Sequence, residues 1–229
     1  MAHSKRFQAA IKQVDRKTMY KPEEAIALAK TTSNTKFDSS IEVHINLGID
    51  VKKGDQQVRA TIIFPHSIGK AKKVAAFVSA DKEKEARDAG ADIVGGEELI
   101  AELASSGKID FDVAVATPDM MAKMTRVAKI LGPIGLMPNP KTDTVSTNVK
   151  KMVEDIKKGK VAFKNDQTGN LHQVIGKSSL DAAKLLENFQ IFLEAVKKVK
   201  PSASKGVYLK SVTVTSTMGP GVKVDPSLV

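Results

Sequence analysis

The pattern of apolar residues changes twice along this chain, near residue 67 and again near residue 160. Between these points, short apolar runs such as KKVAAFVS and ADIVG alternate with helical segments, an order that predicts a parallel sheet flanked by helices. Outside them, runs such as IEVHINLGID alternate apolar and polar residues, which is typical of antiparallel strands with one buried face. The sequence therefore predicts a discontinuous domain, residues 1–67 and 160–229, into which residues 68–159 are inserted as a second domain.

Two crossings of the chain would join these domains, at Pro65–Ser67 and at Lys158–Lys160. A movement between domains needs only a few residues at each crossing to change their backbone dihedral angles. The crossings therefore predict a hinge at Ser67, Ile68, Gly159 and Lys160.

Local patterns predict further elements of the discontinuous domain. Helices are expected over Ser4–Lys17 and from Pro22 onward. The runs KVAFKND and LHQVIGK, on either side of a turn at Gln167–Asn170, predict a hairpin. Ser178 and Asp181 resemble a capping box at the start of a long helix.

The distribution of charge indicates a polyanionic partner. The chain has a formal net charge of +10 and a pI near 9.6. The two end segments hold 21 Lys and Arg against 12 Asp and Glu, whereas residues 68–159 hold 15 against 14. Because net charge of this size favours association with nucleic acid, we expect the binding surface to lie in the discontinuous domain.

The absence of cysteine excludes disulfides and thiolate chemistry and suits a reducing compartment. No apolar run approaches the ~18 residues that a membrane-spanning helix needs. We therefore expect a cytoplasmic protein with no membrane partner.

The stretch SVTVTSTMGPG, Ser211–Gly221, predicts a strand with one apolar and one hydroxyl-bearing face. The apolar face carries Val212 and Val214, and Met218 and Gly219 follow where the strand ends. The opposite face carries Ser211, Thr213, Thr215 and Thr217. This pattern has two interpretations, an exposed sheet face, since threonine is favoured in strands, or a surface that approaches a ligand closely.

A nucleotide-binding enzyme is the main rival hypothesis, because parallel βα units often bind phosphate where a helix begins after a strand. Here those turns carry carboxylates, which repel phosphate: Asp81, Glu97, Glu98 and Asp119. Neither GxGxxG nor GxxxxGK[ST] is present, and the pair Gly95–Gly96 alone is a weak signal. The four histidines are too dispersed for a sequence-local metal or catalytic signature. We predict no catalysis, no cofactor and no metal.

Seven ordered blocks, among them FDSSIEVHINLGID, LGPIGLMPNPKTDTV, FKNDQTGNLHQVIGK and GVYLKSVTVTSTMGPGVKVD, resemble the L-one family of large-subunit ribosomal proteins in its bacterial form. The resemblance spans nearly the whole chain. It implies an α/β (α+β) protein with a discontinuous antiparallel-sheet-plus-helices domain and an inserted Rossmann-like parallel βα domain.

The same resemblance implies a function. Members of the family bind 23S ribosomal RNA at a mobile stalk near the exit site, beside other components of the large ribosomal subunit, and assist the release of tRNA. Bacterial members also repress translation by binding the messenger RNA of their own operon. By resemblance we further expect a monomer when the protein is free.

Carried over by matching motifs, the RNA-binding surface would consist of Lys36, Phe37, Glu42, Asn165, Asp166, Gly169, His172, Ser211, Thr213, Thr215, Thr217, Met218 and Gly219. Short hydroxyl side chains and bare backbone can approach the 2′-hydroxyls and phosphates of structured RNA closely. Carboxylates such as Glu42 and Asp166 would accept hydrogen bonds from 2′-hydroxyls and so help specificity. We expect Thr217→Val to weaken binding by ~1–3 kcal/mol, and Lys70→Ala to matter far less.

The sequence alone leaves three questions open. Phe37 either rests on RNA or fills the core between a helix and a strand. The segment Gly132–Pro140, with two glycines and three prolines in nine residues, is expected to be irregular and is either a rigid connector or an element facing the first domain or tRNA. Binding is either shape-specific or driven by charge alone, and charge-driven binding predicts little preference among RNAs.

Overall fold

The computed structural model describes residues 4–69 and 72–228, so Lys70 lies outside the described residues. The chain divides into two compact units. Unit 1 comprises Met1–Gly69 with Ala162–Val229, and unit 2 comprises Lys70–Val161. Each of the two boundaries between the units, after Gly69 and after Val161, lies two residues beyond the boundary expected from the sequence. One unit carries an antiparallel sheet with helices and the other a separate parallel sheet, which confirms the predicted fold class.

The helices and strands follow one another in the order that the sequence predicts. The α-helices are α1 (Lys5–Ile11), α2 (Pro22–Thr31), α3 (Glu83–Asp88), α4 (Glu97–Ser106), α5 (Pro118–Met124), α6 (Ala128–Ile134), α7 (Val149–Lys157) and α8 (Ala182–Lys198). The strands are β1 (Ser40–Leu47), β2 (Arg59–Ile63), β3 (Val74–Phe77), β4 (Ile93–Gly95), β5 (Val113–Ala116), β6 (Lys160–Lys164), β7 (Asn170–Lys177), β8 (Leu209–Ser216) and β9 (Val222–Val224).

The main sheet of unit 1 is antiparallel, with strand order β7-β1-β8-β9. Alternate residues of β1 are fully buried, among them Ile41, Val43 and Ile45. Helices α2 and α8 pack on unit 1's strands and on each other. The sheet thus has one covered face, and the polar residues of β1 lie on the other, as the alternation predicts.

Unit 2 contains a three-stranded parallel sheet of order β4-β3-β5. Both faces are covered, because Ala75 and Phe77 of β3 join one apolar cluster and Val74 and Ala76 join another. A strand covered on both faces needs no polar alternation, which explains the continuous apolar run of β3.

The predicted hairpin of β6 and β7 is wrong. The turn forms, and the Asp166 N–H donates to the Asn170 carbonyl at 2.8 Å, but β6 pairs with β2 and β7 pairs with β1. The predicted capping box is also wrong, because the Ser178 hydroxyl donates to Asp38 and Asp181 makes no capping bond with its side chain. In both cases a partner distant in sequence replaces the expected local one.

Two helix boundaries also differ from expectation. Helix α1 ends at Ile11 rather than near Lys17, although Val14 is still buried after a turn. Helix α6 runs through Pro133 to Ile134, and the following Gly135, with a φ of 81°, provides the left-handed conformation of a helix C-terminus. The first part of Gly132–Pro140 is therefore a helix end, since a proline in the last turn disturbs few of the helix's hydrogen bonds.

Candidate nucleic-acid interface

The uncovered face of the unit 1 sheet carries polar side chains in rows that cross the strands. In the central row, His44 of β1 lies between His172 of β7 and Thr213 of β8, and Thr213 in turn pairs with Lys223 of β9. A second row places Glu42 opposite Thr215, and a third places Asn46 between Asn170 and Ser211. The sheet therefore brings Glu42, His172, Ser211, Thr213 and Thr215 of the predicted set onto one face.

His44 is a member of this face that the predicted set omits. Its Nδ1 lies 2.8 Å from Nδ1 of His172, so one ring donates a proton and the other accepts it. Partial burial, and then the proximity of His172, lower the pKa of His44. Its place between Glu42 and Asn46 in an alternating strand is the sequence signal that could have identified it.

The loop that follows β8, residues 217–221, is called here the Met218 loop. Its Met218 is 52% exposed, and a Cβ atom at Gly219 would lie only 2.2 Å from the buried hydroxyl oxygen of Ser216. Any larger residue at this position would displace the Ser216 hydroxyl, and glycine allows the backbone to lie close to it.

Thr217 is exposed, but its hydroxyl contacts the protein. Thr217 Oγ1 accepts a hydrogen bond from the Ser40 N–H at 2.9 Å and donates to the Ser40 carbonyl at 3.3 Å. The side chain thus joins the Met218 loop to the first residue of β1.

The loop between α2 and β1, residues 32–39, is called here the Phe37 loop. Phe37 is 56% exposed and Lys36 is exposed beside it. The structure therefore excludes the interpretation of Phe37 as a core residue. Asp38 anchors the loop by accepting hydrogen bonds from the hydroxyls of Ser178 and Ser179, and the bond from Ser179 is the main cause that lowers the pKa of Asp38.

Three residues of the predicted set, Asn165, Asp166 and Gly169, build the loop between β6 and β7. Asn165 Oδ1 accepts from the Val58 N–H at 2.8 Å. Gly169 is buried with a φ of 80°. The Asp166 carboxylate accepts from the N–H groups of Asn170 and Thr168, and the Asn170 bond is the main cause that lowers its pKa well below the ordinary value. Most of their polar groups are thus occupied within the protein.

The predicted hinge residues lie where the chain passes between the units. The Ser67 hydroxyl donates to the Gly69 carbonyl at 3.1 Å, and Ile68 is half-buried. Gly159 has a φ of 100° after the last turn of α7. Lys160 is the first residue of β6 and forms an ion pair with Asp143 at 3.0 Å.

Unit 2 has a groove of about 560 Å³ where β3 and β4 end, the place at which a parallel sheet would bind a nucleotide. Four glutamates line it, and its two cations, Arg87 and Lys123, pair with Glu83 and Glu97. The glycine pair nearby has a packing role, because a Cβ at Gly95 would lie 2.9 Å from Leu99 Cβ. The groove therefore disfavours a phosphate ligand.

Within residues 4–69 and 72–228, no three His, Asp or Glu side chains are arranged so that they could hold a metal ion. In the same part of the chain, every helix is too short or too polar to cross a lipid bilayer.

Comparison with known sequences identifies the relatives of this chain. The profile of the Ribosomal protein L1p/L10e family matches residues 28–220. "Large ribosomal subunit protein uL1" of Salinispora arenicola is 52% identical over 229 residues, 100% of this chain and 96% of the relative. The protein of that name from Thermobifida fusca is 51% identical over 99% of this chain and 96% of the relative. The one from Mycolicibacterium paratuberculosis is 53% identical over 98% of this chain and 95% of the relative. The chain belongs to the Ribosomal protein L1p/L10e family in its bacterial form, a family of ribosomal proteins rather than of enzymes.

Proposed function

We propose that this protein is a component of the large ribosomal subunit that binds 23S ribosomal RNA directly, through the open sheet face and the two adjoining loops of unit 1. The observation that carries the proposal is the exposure of Phe37 and Met218 on loops that the protein itself holds in place. Membership of the family and the excess of positive charge in the two end segments add support. The predicted cytoplasmic location follows from membership of a bacterial ribosomal protein family.

The chemistry of this surface suits folded RNA better than single strands. Hydroxyl, amide and imidazole groups across β1, β7 and β8 can exchange hydrogen bonds with 2′-hydroxyls and phosphates. The chain has no tryptophan, two tyrosines and eight phenylalanines, and of the phenylalanines only Phe37 is exposed among the described residues. One exposed ring is not the series of aromatic side chains on which single-strand binders stack successive bases. Glu42 would repel phosphate and accept from a 2′-hydroxyl, which favours one RNA shape over others.

We extend the proposal to the further roles that the family resemblance implies. The binding site on 23S ribosomal RNA is the base of the mobile stalk, where the protein assists release of exit-site tRNA. The same protein surface binds the messenger RNA of its own operon, and the protein thereby represses translation. The free protein is a monomer, and Ser67, Ile68, Gly159 and Lys160 form the hinge between an RNA-binding unit 1 and unit 2. The resemblance to bacterial family members supports these roles, and the glycine at the second crossing supports the hinge.

A competition titration at fixed salt tests the proposal. A labelled 23S stalk fragment is bound to the protein and displaced by unlabelled stalk RNA or by an unrelated RNA duplex of equal length. Shape-specific recognition predicts that the duplex competes at least ~10³-fold more weakly. Equal competition by the two RNAs would instead indicate a general, charge-driven binder.

Lys84→Ala is a suitable control for this titration, because Lys84 is an exposed lysine on α3 of unit 2. If unit 1 carries the RNA surface, removing this charge should leave the affinity for stalk RNA nearly unchanged. The control uses Lys84 instead of Lys70 because Lys70 lies outside the described residues.

A further inference from the structure

Arg6 of α1 contacts both loops of the proposed RNA-binding surface, although no motif in the sequence singles it out. Its Nη1 donates to the Asn34 carbonyl of the Phe37 loop at 2.9 Å. Its Nη2 donates to the Met218 carbonyl of the Met218 loop at 3.4 Å. The two acceptors are far apart in sequence, so this one side chain connects the two loops that carry the exposed apolar residues Phe37 and Met218.

The planar guanidinium suits this position because its two terminal nitrogens can reach two acceptors at once. Other contacts fix each loop elsewhere. Thr35 Oγ1 donates to the Phe37 carbonyl at 2.7 Å, and Thr217 binds the backbone of Ser40. Arg6 adds a contact that spans from one loop to the other through a backbone carbonyl of each.

We infer that Arg6 is a positioning residue for RNA binding, which holds the Phe37 and Met218 loops in the arrangement that fits the RNA. This inference rests on the proposed function of the surface. It differs from a direct phosphate contact, in which the charge of Arg6 and not its two-pronged geometry would matter.

The test compares Arg6→Lys and Arg6→Ala with the unchanged protein, and uses Lys12→Ala as a control for the loss of one positive charge on the same segment. Lysine keeps the charge but offers one nitrogen in place of the two that bind the two carbonyls. Both Arg6 variants should therefore bind the stalk RNA about three- to tenfold more weakly, with an unchanged dependence of affinity on salt. Lys12→Ala should bind normally. A phosphate contact predicts the opposite, with normal affinity for Arg6→Lys and a salt slope lower by about 1 for Arg6→Ala.

Amide hydrogen exchange on the free protein provides a readout that does not depend on RNA. The Thr217 N–H donates to the Ser40 carbonyl and the Gly219 N–H to the Ser216 carbonyl. Both amides should exchange faster in the Arg6 variants while amides of β1 exchange at the normal rate. Unchanged exchange in both variants would overturn the inference. If the unchanged protein fails to prefer stalk RNA, the proposed function fails, and the exchange rates still decide whether Arg6 positions the loops.

Discussion

The sequence predicts that Thr217 and Asp166 present polar groups to RNA, but in the structure both side chains make hydrogen bonds within the protein. The Thr217 hydroxyl binds the Ser40 backbone, and Asp166 closes the turn before β7. If unit 1 binds RNA as proposed, we therefore expect these two residues to act by shaping the backbone around them and exposed neighbours such as Met218 and His172 to make the direct contacts. At position 217 the structure therefore calls for a hydroxyl group within reach of the Ser40 backbone.

Thr217→Val removes a hydroxyl but keeps a branched side chain of similar size. The Ser40 N–H then loses its acceptor, so the free energy of unfolding should fall by ~1 kcal/mol and the affinity for stalk RNA by ~1–3 kcal/mol. Thr217→Ser keeps the hydroxyl and should behave almost normally in both respects. Denaturant unfolding and RNA titration of the two variants measure these changes. A normal affinity of the valine variant would contradict the role of this contact.

Asp166 makes a contribution to stability that depends on pH. Hydrogen bonds to the carboxylate lower its pKa below the ordinary value of 3.8, so the folded state holds this proton less tightly than the unfolded state. The contribution is therefore fully present above about pH 4 and is lost as the pH falls toward the folded-state pKa. The stability difference between the unchanged protein and Asp166→Asn should shrink between pH 7 and pH 3. Thermal unfolding at several pH values measures it, with the exposed Asp55→Asn as the comparison.

Among the elements of unit 1, α8 is tied to the first chain crossing by a buried polar residue. Asn188 is fully buried. Its Nδ2 donates to the carbonyls of His66 and Ile175 at 3.2 and 2.8 Å, and its Oδ1 accepts from the His66 N–H at 3.3 Å. One amide thus satisfies backbone groups of β7 and of the segment after β2.

Asn188→Leu would leave these backbone groups without partners inside the protein. The free energy of unfolding should fall by ~2–4 kcal/mol, because buried polar groups would lose their hydrogen bonds. Gln190→Leu is the matched control, since Gln190 is exposed on the same helix, and its effect should stay within ~0.5 kcal/mol. Urea denaturation of both proteins measures the difference, and equal stabilities would show that Asn188 is dispensable.

The sequence predicts an element well where its own periodicity determines burial, as for β1 and β3. It fails where the partner is distant. The turn at Asp166–Asn170 has correct turn chemistry, yet the pairing of β6 depends on β2, about a hundred residues earlier. Ser178 has the spacing of a helix cap, but Asp38 competes for its hydroxyl. The exposure of Phe37 likewise depends on how its loop is anchored, which no local pattern reveals.

At the scale of the whole molecule, the chain leaves unit 1 after β2 and returns to it in β6, and these two strands are hydrogen-bonded neighbours. An insertion that begins and ends on adjacent strands can be removed without separating the elements it interrupts. Every residue of the predicted RNA surface lies outside unit 2, as does most of the excess positive charge. Unit 1 should therefore fold and bind RNA without its insertion.

The corresponding experiment replaces residues 70–159 with a short Gly-Ser linker, which keeps β6 intact. The shortened chain should unfold cooperatively and bind stalk RNA within about tenfold of the full-length affinity, because most of the excess positive charge remains. Thr217→Val in the shortened chain should cause the same fold-loss as in the full chain, which shows that the same surface is in use. A shortened protein that folds by circular dichroism but loses its preference for stalk RNA would contradict this division, since part of the recognition would then reside in unit 2.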